Sequence, residues 1–115
     1  DRKKEIIVSL GGDNISPSKI ENLLCLNEKI KQSFVYGDKK TYLVALIVSE
    51  STENRKEIEI FLENLNKTLS LVEKVKKFKL IEEEFSIENG MLTPTLKLKR
   101  KKILDKYKDD LEKLY

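Results

Sequence analysis

The sequence lacks histidine and tryptophan altogether and holds only one cysteine and two prolines among its 115 residues. Without histidine, the chain has neither the most common general base nor the most common nitrogen ligand of zinc. The single cysteine, Cys25, excludes an internal disulfide and a thiolate metal cluster within this chain. Because Cys25 lies in an apolar helical stretch, we predict that its thiol is buried. No apolar run approaches the ~20 residues needed to span a bilayer.

The charged residues are numerous but nearly balanced in sign. Lysine and arginine number 23 against 20 acidic residues, which gives a net charge of +3. The basic residues form two clusters, 2–4 and 97–102, at opposite ends of a more acidic middle. This distribution is a weak indication of an anionic ligand. A chain of this length is one domain, and because it begins on Asp1 at a functional-looking turn, we expect a piece cut from a longer protein.

Short β-rich runs alternate with helical patterns along the chain. The runs fall at 5–10, 32–36, 42–48 and 77–85, and a polar turn joins the second to the third as in a β-hairpin. The apolar run 42–48 is expected to be the central strand, buried on both faces. The order of elements predicts an α+β domain. We expect a small, mainly antiparallel sheet of about three strands plus a short N-terminal hairpin strand, flanked by about three helices.

Three segments carry helical signals. Ser16 is a good N-cap and Pro17 suits the first position of the first helix. A second helix begins near residue 54, and the Ser70–Glu73 pair beyond it is typical of a capping box. A third helix covers 99–115. The residues expected to face the core are Ile20, Leu23, Leu24, Ile58, Phe61, Leu62, Leu65, Leu104, Tyr107, Leu111 and Leu114.

A glycine pair, Gly11 and Gly12, separates the first strand from the first helix. Glycine tolerates positive φ, and Asp13 and Asn14 do so better than most residues, so we predict a tight loop. The loop lacks the G-x-G-x-x-G spacing of dinucleotide sites and the G-K-[ST] ending of phosphate loops. From the residues alone, it is either a plain turn or a loop that approaches a phosphorylated ligand.

A run of five cations lies within 97–102, next to the sequence Thr-Pro-Thr. Cations at a helix N-terminus oppose the helix dipole, so stability alone would favour carboxylates there. The run is therefore either a solvated start of a helix or a site for an anionic ligand. Alternation along 95–99 predicts that Lys97 and Lys99 share one face of an extended segment.

Together these segments resemble the C-terminal domain of adenylate-forming enzymes, which include AMP-forming acyl-CoA synthetases, luciferases and the adenylation domains of peptide synthetases. The sequence Asp-Arg-Lys-Lys-x-Ile-Ile, followed by Gly-Gly-x-Asn-Ile-Ser-Pro and Ile-Glu, is similar to the hinge and the motif after it. Leu-Thr-Pro-Thr-Leu-Lys-Leu-Lys-Arg is similar to the terminal lysine motif, and the hairpin is similar to the sheet between them. The spacing from Arg2 to Gly12 and the Thr-Leu-Lys variant resemble long-chain fatty acid–CoA ligases.

The resemblance implies a two-step reaction in a larger enzyme. A fatty acid first reacts with ATP to give acyl-AMP, with Mg²⁺ present, and CoA then takes up the acyl group. Residues 1–115 would be the mobile C-terminal domain, which rotates between the steps, binds no cofactor or metal stably alone and is inactive alone. The N-terminal domain of the same polypeptide would bind ATP, Mg²⁺ and the acid. The expected location is cytoplasmic without a transmembrane segment, and peripheral contact with membranes is left open.

The resemblance assigns one catalytic residue, Lys97, whose ammonium would stabilise the negative charge that builds up during adenylation. The other assigned residues contact the nucleotide or CoA, or serve as the hinge, and no metal ligand is assigned. They are Arg2 for the ribose hydroxyls, Lys4 for the hinge, Gly11 and Gly12 for the pantetheine channel of CoA, and Lys99 and Arg100 for the phosphates of CoA.

Three other interpretations stay open at this point. The enzyme could be an adenylate-forming ligase for aryl or medium-chain acids, because acyl specificity belongs to the absent domain. A basic nucleic-acid-binding module would need a coherent positive face and exposed aromatic side chains. The aromatic residues lie mostly in core-like positions, so we expect no nucleic-acid partner. A purely structural docking domain would make Lys97 dispensable.

Overall fold

A computed structural model describes residues 6–115, except for the side chains of residues 52 and 72. Within this range the chain folds into two sheets and three α-helices. Two 3₁₀ turns, Thr52–Asn54 and Leu71–Glu73, lie between the larger elements. The predicted α+β class is confirmed. In chain order the elements are β1 (Ile7–Val8), β2 (Asn14–Ile15), α1 (Pro17–Leu24), β3 (Gln32–Tyr36), β4 (Leu43–Val48), α2 (Arg55–Asn66), β5 (Val75–Ile81) and α3 (Arg100–Glu112).

Strand β4 is the centre of the molecule, and all six of its residues are buried. Because side chains alternate across a strand, β4 faces two separate cores. Leu43 and Ile47 join the first core, with residues of β1, β2, α1 and α2. Val44 and Leu46 join the second core, with residues of α3 and of the segment 85–92. The prediction of a central strand buried on both faces is confirmed.

The three-stranded sheet has the order β3-β4-β5 and is mixed. Strands β3 and β4 form the predicted antiparallel hairpin, from the pair Gln32 and Val48 to the pair Tyr36 and Val44. Strand β5 pairs with β4 in parallel. The sheet is therefore only partly antiparallel, because α2 crosses over between β4 and β5 and returns the chain in the same direction. Strand β1 pairs with β2 in a separate antiparallel ribbon.

The helical signals in the sequence are largely confirmed. Ser16 is the N-cap of α1 with Pro17 at its first position, although the Ser16 side chain makes no capping hydrogen bond. The Ser70–Glu73 capping box is present. In α3, Ile103 is fully buried. Its neighbour Leu104, which the sequence pattern placed in the core, is only half-buried. Among the described residues, no helix is both long enough and apolar enough to cross a membrane.

Helix α2 provides a matched test of the first core. The Ile58 side chain is fully buried, whereas Ile60, two residues further along α2, is 54% exposed. Replacing Ile58 by alanine should lower the free energy of unfolding by about 2–5 kcal/mol, because the lost contacts leave a cavity. Ile60→Ala should change it by only about 0.5 kcal/mol. Urea denaturation of the domain, followed by circular dichroism, measures both, and equal losses would contradict this description of the core.

Candidate functional site

The segment 91–99, called the lysine loop below, doubles back on itself just before α3. An antiparallel bridge joins Leu92 to Leu98. The Lys99 N–H donates a hydrogen bond to the Met91 carbonyl at 2.8 Å. Met91 and Leu92 are buried in the second core, so the base of the loop is fixed to the body of the domain.

Lys97 is held within the lysine loop by Thr93. The Thr93 N–H donates to the Lys97 carbonyl at 2.8 Å, and the Lys97 N–H donates to Thr93 Oγ1 at 3.1 Å. Leu96 has a φ of 64°, a left-handed conformation that costs a leucine about 1–2 kcal/mol. The predicted continuous extended segment over 95–99 is therefore wrong, because Leu96 turns the chain. Such strain is typical of functional loops.

A cavity of about 270 Å³ separates the lysine loop from α1. Lys97 and Arg100 line it from one side, and Glu21 and Cys25 line it from α1. Cys25 was predicted to be buried, and this is wrong: its side chain is exposed. The reason is that Cys25 is the C-cap of α1, one residue beyond the buried stripe. Its Sγ lies 3.6 Å from Ser33 Oγ.

Arg100, the first residue of α3, forms a two-pronged ion pair with Glu21. Its Nη1 and Nη2 donate to Glu21 Oε2 and Oε1 at 2.7 and 2.6 Å. The Glu21 side chain is 8% exposed, and its Oε2 also accepts the Val35 N–H at 2.8 Å. The guanidinium proposed for CoA thus has a structural partner within the domain. Lys99, the N-cap of α3, has an exposed side chain.

The glycine pair lies in a tight turn, residues 9–13, that joins β1 to β2. The Gly12 N–H donates to the Ser9 carbonyl and the Ser9 N–H to the Asp13 carbonyl, both at 2.9 Å. Gly12 has a φ of 89°, which favours glycine, but a side chain there would meet no atom within 4 Å. At Gly11 the nearest atom, Asp13 Oδ2, would be in ordinary contact at 3.6 Å. Packing within the described chain therefore does not require either glycine.

The glycine turn rests on the turn of the β3–β4 hairpin. The Lys39 N–H donates to the Val8 carbonyl at 2.7 Å, and the Leu10 N–H donates to the Lys40 carbonyl at 3.0 Å. A second cavity, of about 330 Å³, lies at this junction and is lined by Gly11 and Lys40 among others. The structure therefore does not bring the glycine turn and Lys97 together, since each lines a separate cavity.

A cluster of tyrosines fixes the hairpin turn to the end of α3. Tyr36 OH donates to Glu112 Oε2 at 2.6 Å, and Lys40 Nζ lies 2.8 Å from Glu112 Oε1. The Tyr115 ring packs against Tyr42, with ring centroids 4.8 Å apart. Burial is the main cause that raises the pKa of Tyr36 to about 12, and the hydrogen bond to Glu112 contributes to the same shift. The hydrogen bonds from Lys40 and Tyr36 lower the pKa of Glu112.

Two predicted site residues, Arg2 and Lys4, lie outside the described residues. Between residues 6 and 115, no group of three or more acidic or cysteine side chains could hold a metal ion. Sequence reasoning quoted Glu21 and Thr93 within the two motifs but gave neither residue a role in the site. Glu21 had a usable signal, a carboxylate on the apolar face of α1. Thr93, by contrast, acts through a turn that no sequence pattern predicted.

Comparisons with known proteins agree on one family. Residues 4–115 match the family model described as AMP-binding enzyme C-terminal domain. Long-chain-fatty-acid--CoA ligase FadD15 of Mycobacterium tuberculosis is 33% identical, with 99% of this chain and 23% of that protein covered. Long-chain-fatty-acid--CoA ligase 6 of Rattus norvegicus is 33% identical, with 100% and 20% covered. This chain therefore spans about a fifth of the length of these curated relatives.

The solved structure of an adenylation domain contains the same fold. The adenylation domain of a carboxylate reductase from Mycobacterium chelonae superposes with a TM-score of 0.88 at 27% identity. The superposition covers 100% of this chain and 20% of that one. The arrangement of helices and sheets described above is thus shared, end to end, with part of an adenylating enzyme.

Alkaline pH tests the tyrosine cluster. The Tyr36 pKa is ordinary, near 10, in the unfolded chain and about 12 in the fold, so the folded state binds this proton more tightly. The resulting stabilisation is complete below pH 10 and is lost as the pH rises through 12. Tyr36→Phe should reduce the fall in unfolding free energy over this range, as measured by urea denaturation at a series of pH values. An unchanged slope would contradict the assigned pKa.

Proposed function

The chain belongs to the family of AMP-binding enzyme C-terminal domains, and on that premise we propose that it is the C-terminal domain of a long-chain fatty acid–CoA ligase. Such a ligase joins a fatty acid to AMP, with release of pyrophosphate from ATP, and then passes the acyl group to the CoA thiol. The relatives that support this substrate class are about one-third identical along the whole chain. The N-terminal domain of the same polypeptide would bind ATP, Mg²⁺ and the fatty acid.

The observation that carries the mechanism is the separation of the two loops. The lysine loop is anchored in the second core by Met91 and Leu92. The strands that flank the glycine turn belong to the first core through Ile7 and Ile15. One domain therefore offers a cationic loop at one cavity and a turn with two adjacent glycines at another. Rotation of the domain would bring each loop in turn to the reacting atoms held by the N-terminal domain.

Lys97 is the proposed catalytic residue of the adenylation step. During that step, negative charge grows on the α-phosphate and on the attacking and leaving oxygens, and a positioned ammonium stabilises it. Lys97 is exposed at the surface, and its backbone is held by two hydrogen bonds to Thr93. A side chain on a fixed backbone meets an incoming phosphate with little reorganisation. Loss of the ammonium should therefore slow adenylation.

The glycine turn is the proposed wall of the channel for the pantetheine arm of CoA. A backbone without side chains can approach a narrow thiol arm closely, and neither Gly11 nor Gly12 is required by packing inside this domain. Lys99 suits the phosphates of CoA better than Arg100, because the Arg100 fork is bound to Glu21. Arg2 at the ribose hydroxyls and Lys4 at the hinge complete the proposal.

The nucleic-acid alternative is not favoured. Acidic side chains are interspersed among the basic ones, and several form ion pairs across the surface of the described chain, such as Lys31 with Glu84 and Lys106 with Glu83. This pairing breaks up the coherent positive face that phosphate-backbone binding requires. The family match points the same way.

The complete ligase allows the role of Lys97 to be tested in separate half-reactions. Lys97→Ala should slow acyl-AMP formation from palmitate and ATP by about 10²–10³-fold. Thioester formation from supplied acyl-AMP and CoA should be largely retained, because a different face serves that step. Lys101→Ala, a neighbouring exposed lysine in the first turn of α3, is the matched control and should leave both rates unchanged. Unimpaired acyl-AMP formation by Lys97→Ala would overturn the assignment.

Gly12 has a matched control elsewhere in the chain. Gly90 also has a positive φ, 80° against 89° for Gly12, and a side chain would meet no atom within 4 Å at either position. Alanine should therefore cost a similar amount of stability at both, about 1–2 kcal/mol. Only Gly12→Ala should slow thioester formation by the complete ligase, measured with supplied acyl-AMP. Equal effects of the two variants on that rate would show that the glycine turn has only a conformational role.

A further inference from the structure

We propose that Glu21 is a positioning residue for Lys97, acting through Arg100, so that this largely buried ion pair selectively supports acyl-AMP formation. The inference rests on the proposed function of Lys97. Three observations support it: the geometry of the pair, its connection to the lysine loop, and the weak contribution that buried ion pairs usually make to stability.

The carboxylate of Glu21 is fixed by groups from two other elements. It accepts both terminal nitrogens of Arg100 in a fork, at 2.6 and 2.7 Å, and the backbone N–H of Val35 in β3 at 2.8 Å. Two parallel hydrogen bonds define the orientation of the guanidinium as well as its distance. The Arg100 guanidinium also lies 5.7 Å from the centre of the Phe34 ring. Arg100 therefore has a closely defined position over α1 and β3.

Arg100 is joined to Lys97 by a short and constrained stretch of chain. Arg100 follows the lysine loop directly and opens α3. The bridge between Leu92 and Leu98 and the hydrogen bond from Lys99 to Met91 limit the freedom of the residues between them. Lys97, Glu21 and Arg100 line the same cavity. A shift of Arg100 relative to α1 must therefore move the end of the loop that carries Lys97.

Stability alone does not account for a pair of this kind. Buried ion pairs can often be replaced by well-packed apolar residues without loss of stability, because desolvation offsets the attraction between the charges. An apolar pair would not fix the orientation of Arg100 as the two parallel hydrogen bonds do. Because these bonds lie between α1 and the loop with the proposed catalytic lysine, they can hold that loop in place. Positioning errors of about 1 Å can slow a reaction by about 10²-fold.

The test uses charge-conserving variants of the complete ligase. Glu21→Asp retains the charge but shortens the carboxylate arm, so it should break the fork without leaving the partly buried guanidinium of Arg100 without a counter-charge. The matched control is Glu83→Asp, which makes the same change in the exposed pair with Lys106 on α3. We expect Glu21→Asp to slow acyl-AMP formation by about 10²-fold. Thioester formation from supplied acyl-AMP should be unaffected, and Glu83→Asp should change neither rate.

Hydrogen exchange provides a readout that does not depend on turnover. In Glu21→Asp, peptides covering the lysine loop should exchange faster, while peptides covering β4 and α2 should remain as protected as in the parent ligase. Loss of protection in β4, or equal loss of both half-reactions, would overturn the proposal by showing that the pair only maintains the fold. An unchanged rate of acyl-AMP formation would overturn it as well.

Lys97→Ala, assayed in parallel, separates this inference from the function on which it rests. If Lys97→Ala loses acyl-AMP formation and Glu21→Asp retains it, only the positioning role fails. If Lys97→Ala retains acyl-AMP formation, the proposed function fails and the positioning role fails with it.

Discussion

The burial of β4 on both faces is the constraint on which the rest of the structure depends. A strand with six consecutive buried residues needs apolar cover on each side, and the chain provides it as two cores. The cover on one side includes α1 and the strands around the glycine turn. The cover on the other side includes α3 and the base of the lysine loop. The two candidate functional segments are thereby assigned to different layers of one domain.

The two layers are also joined by side-chain contacts at both ends of α3. The Glu21–Arg100 pair joins α1 to the start of α3. At the other end of α3, Tyr36 and Lys40 bind Glu112 and join the helix to the hairpin turn on which the glycine turn rests. If the domain alternates between two orientations, as proposed, these contacts hold its two loops in a fixed relation. The relative placement of its two loops must survive the rotation if each orientation is to present one loop accurately.

Much of the fold could be predicted from local sequence patterns, and the failures have physical reasons. The run 42–48 was recognisable because burial on both faces leaves no polar residue in the strand. The direction of β5 was not recognisable, since the same apolar pattern serves parallel and antiparallel pairing. The turn at Leu96 has no sequence signal, because its positive φ is imposed by the hydrogen bonds around it. Cys25 was misplaced because the helical pattern did not show where α1 ends.

The candidate site also contains residues that contiguous sequence motifs indicate and residues that only tertiary contacts bring together. The motifs that resemble adenylate-forming enzymes made Lys97, Gly11 and Gly12 candidates, because such motifs are contiguous in sequence. The partnership of Glu21 with Arg100 was not identified, since the two residues lie 79 positions apart and each has an ordinary local explanation. Contacts of this kind depend on how α1 and α3 pack around β3, which the sequence pattern does not specify.

We propose that one domain presents two different loops to one active site. The most direct test is a pair of crystal structures of the complete ligase, one with a stable acyl-AMP analogue and one with that analogue and CoA. We expect Lys97 at the α-phosphate in one orientation of the domain and the glycine turn beside the CoA thiol arm in the other. Finding the same loop at the reacting atoms in both complexes would contradict it.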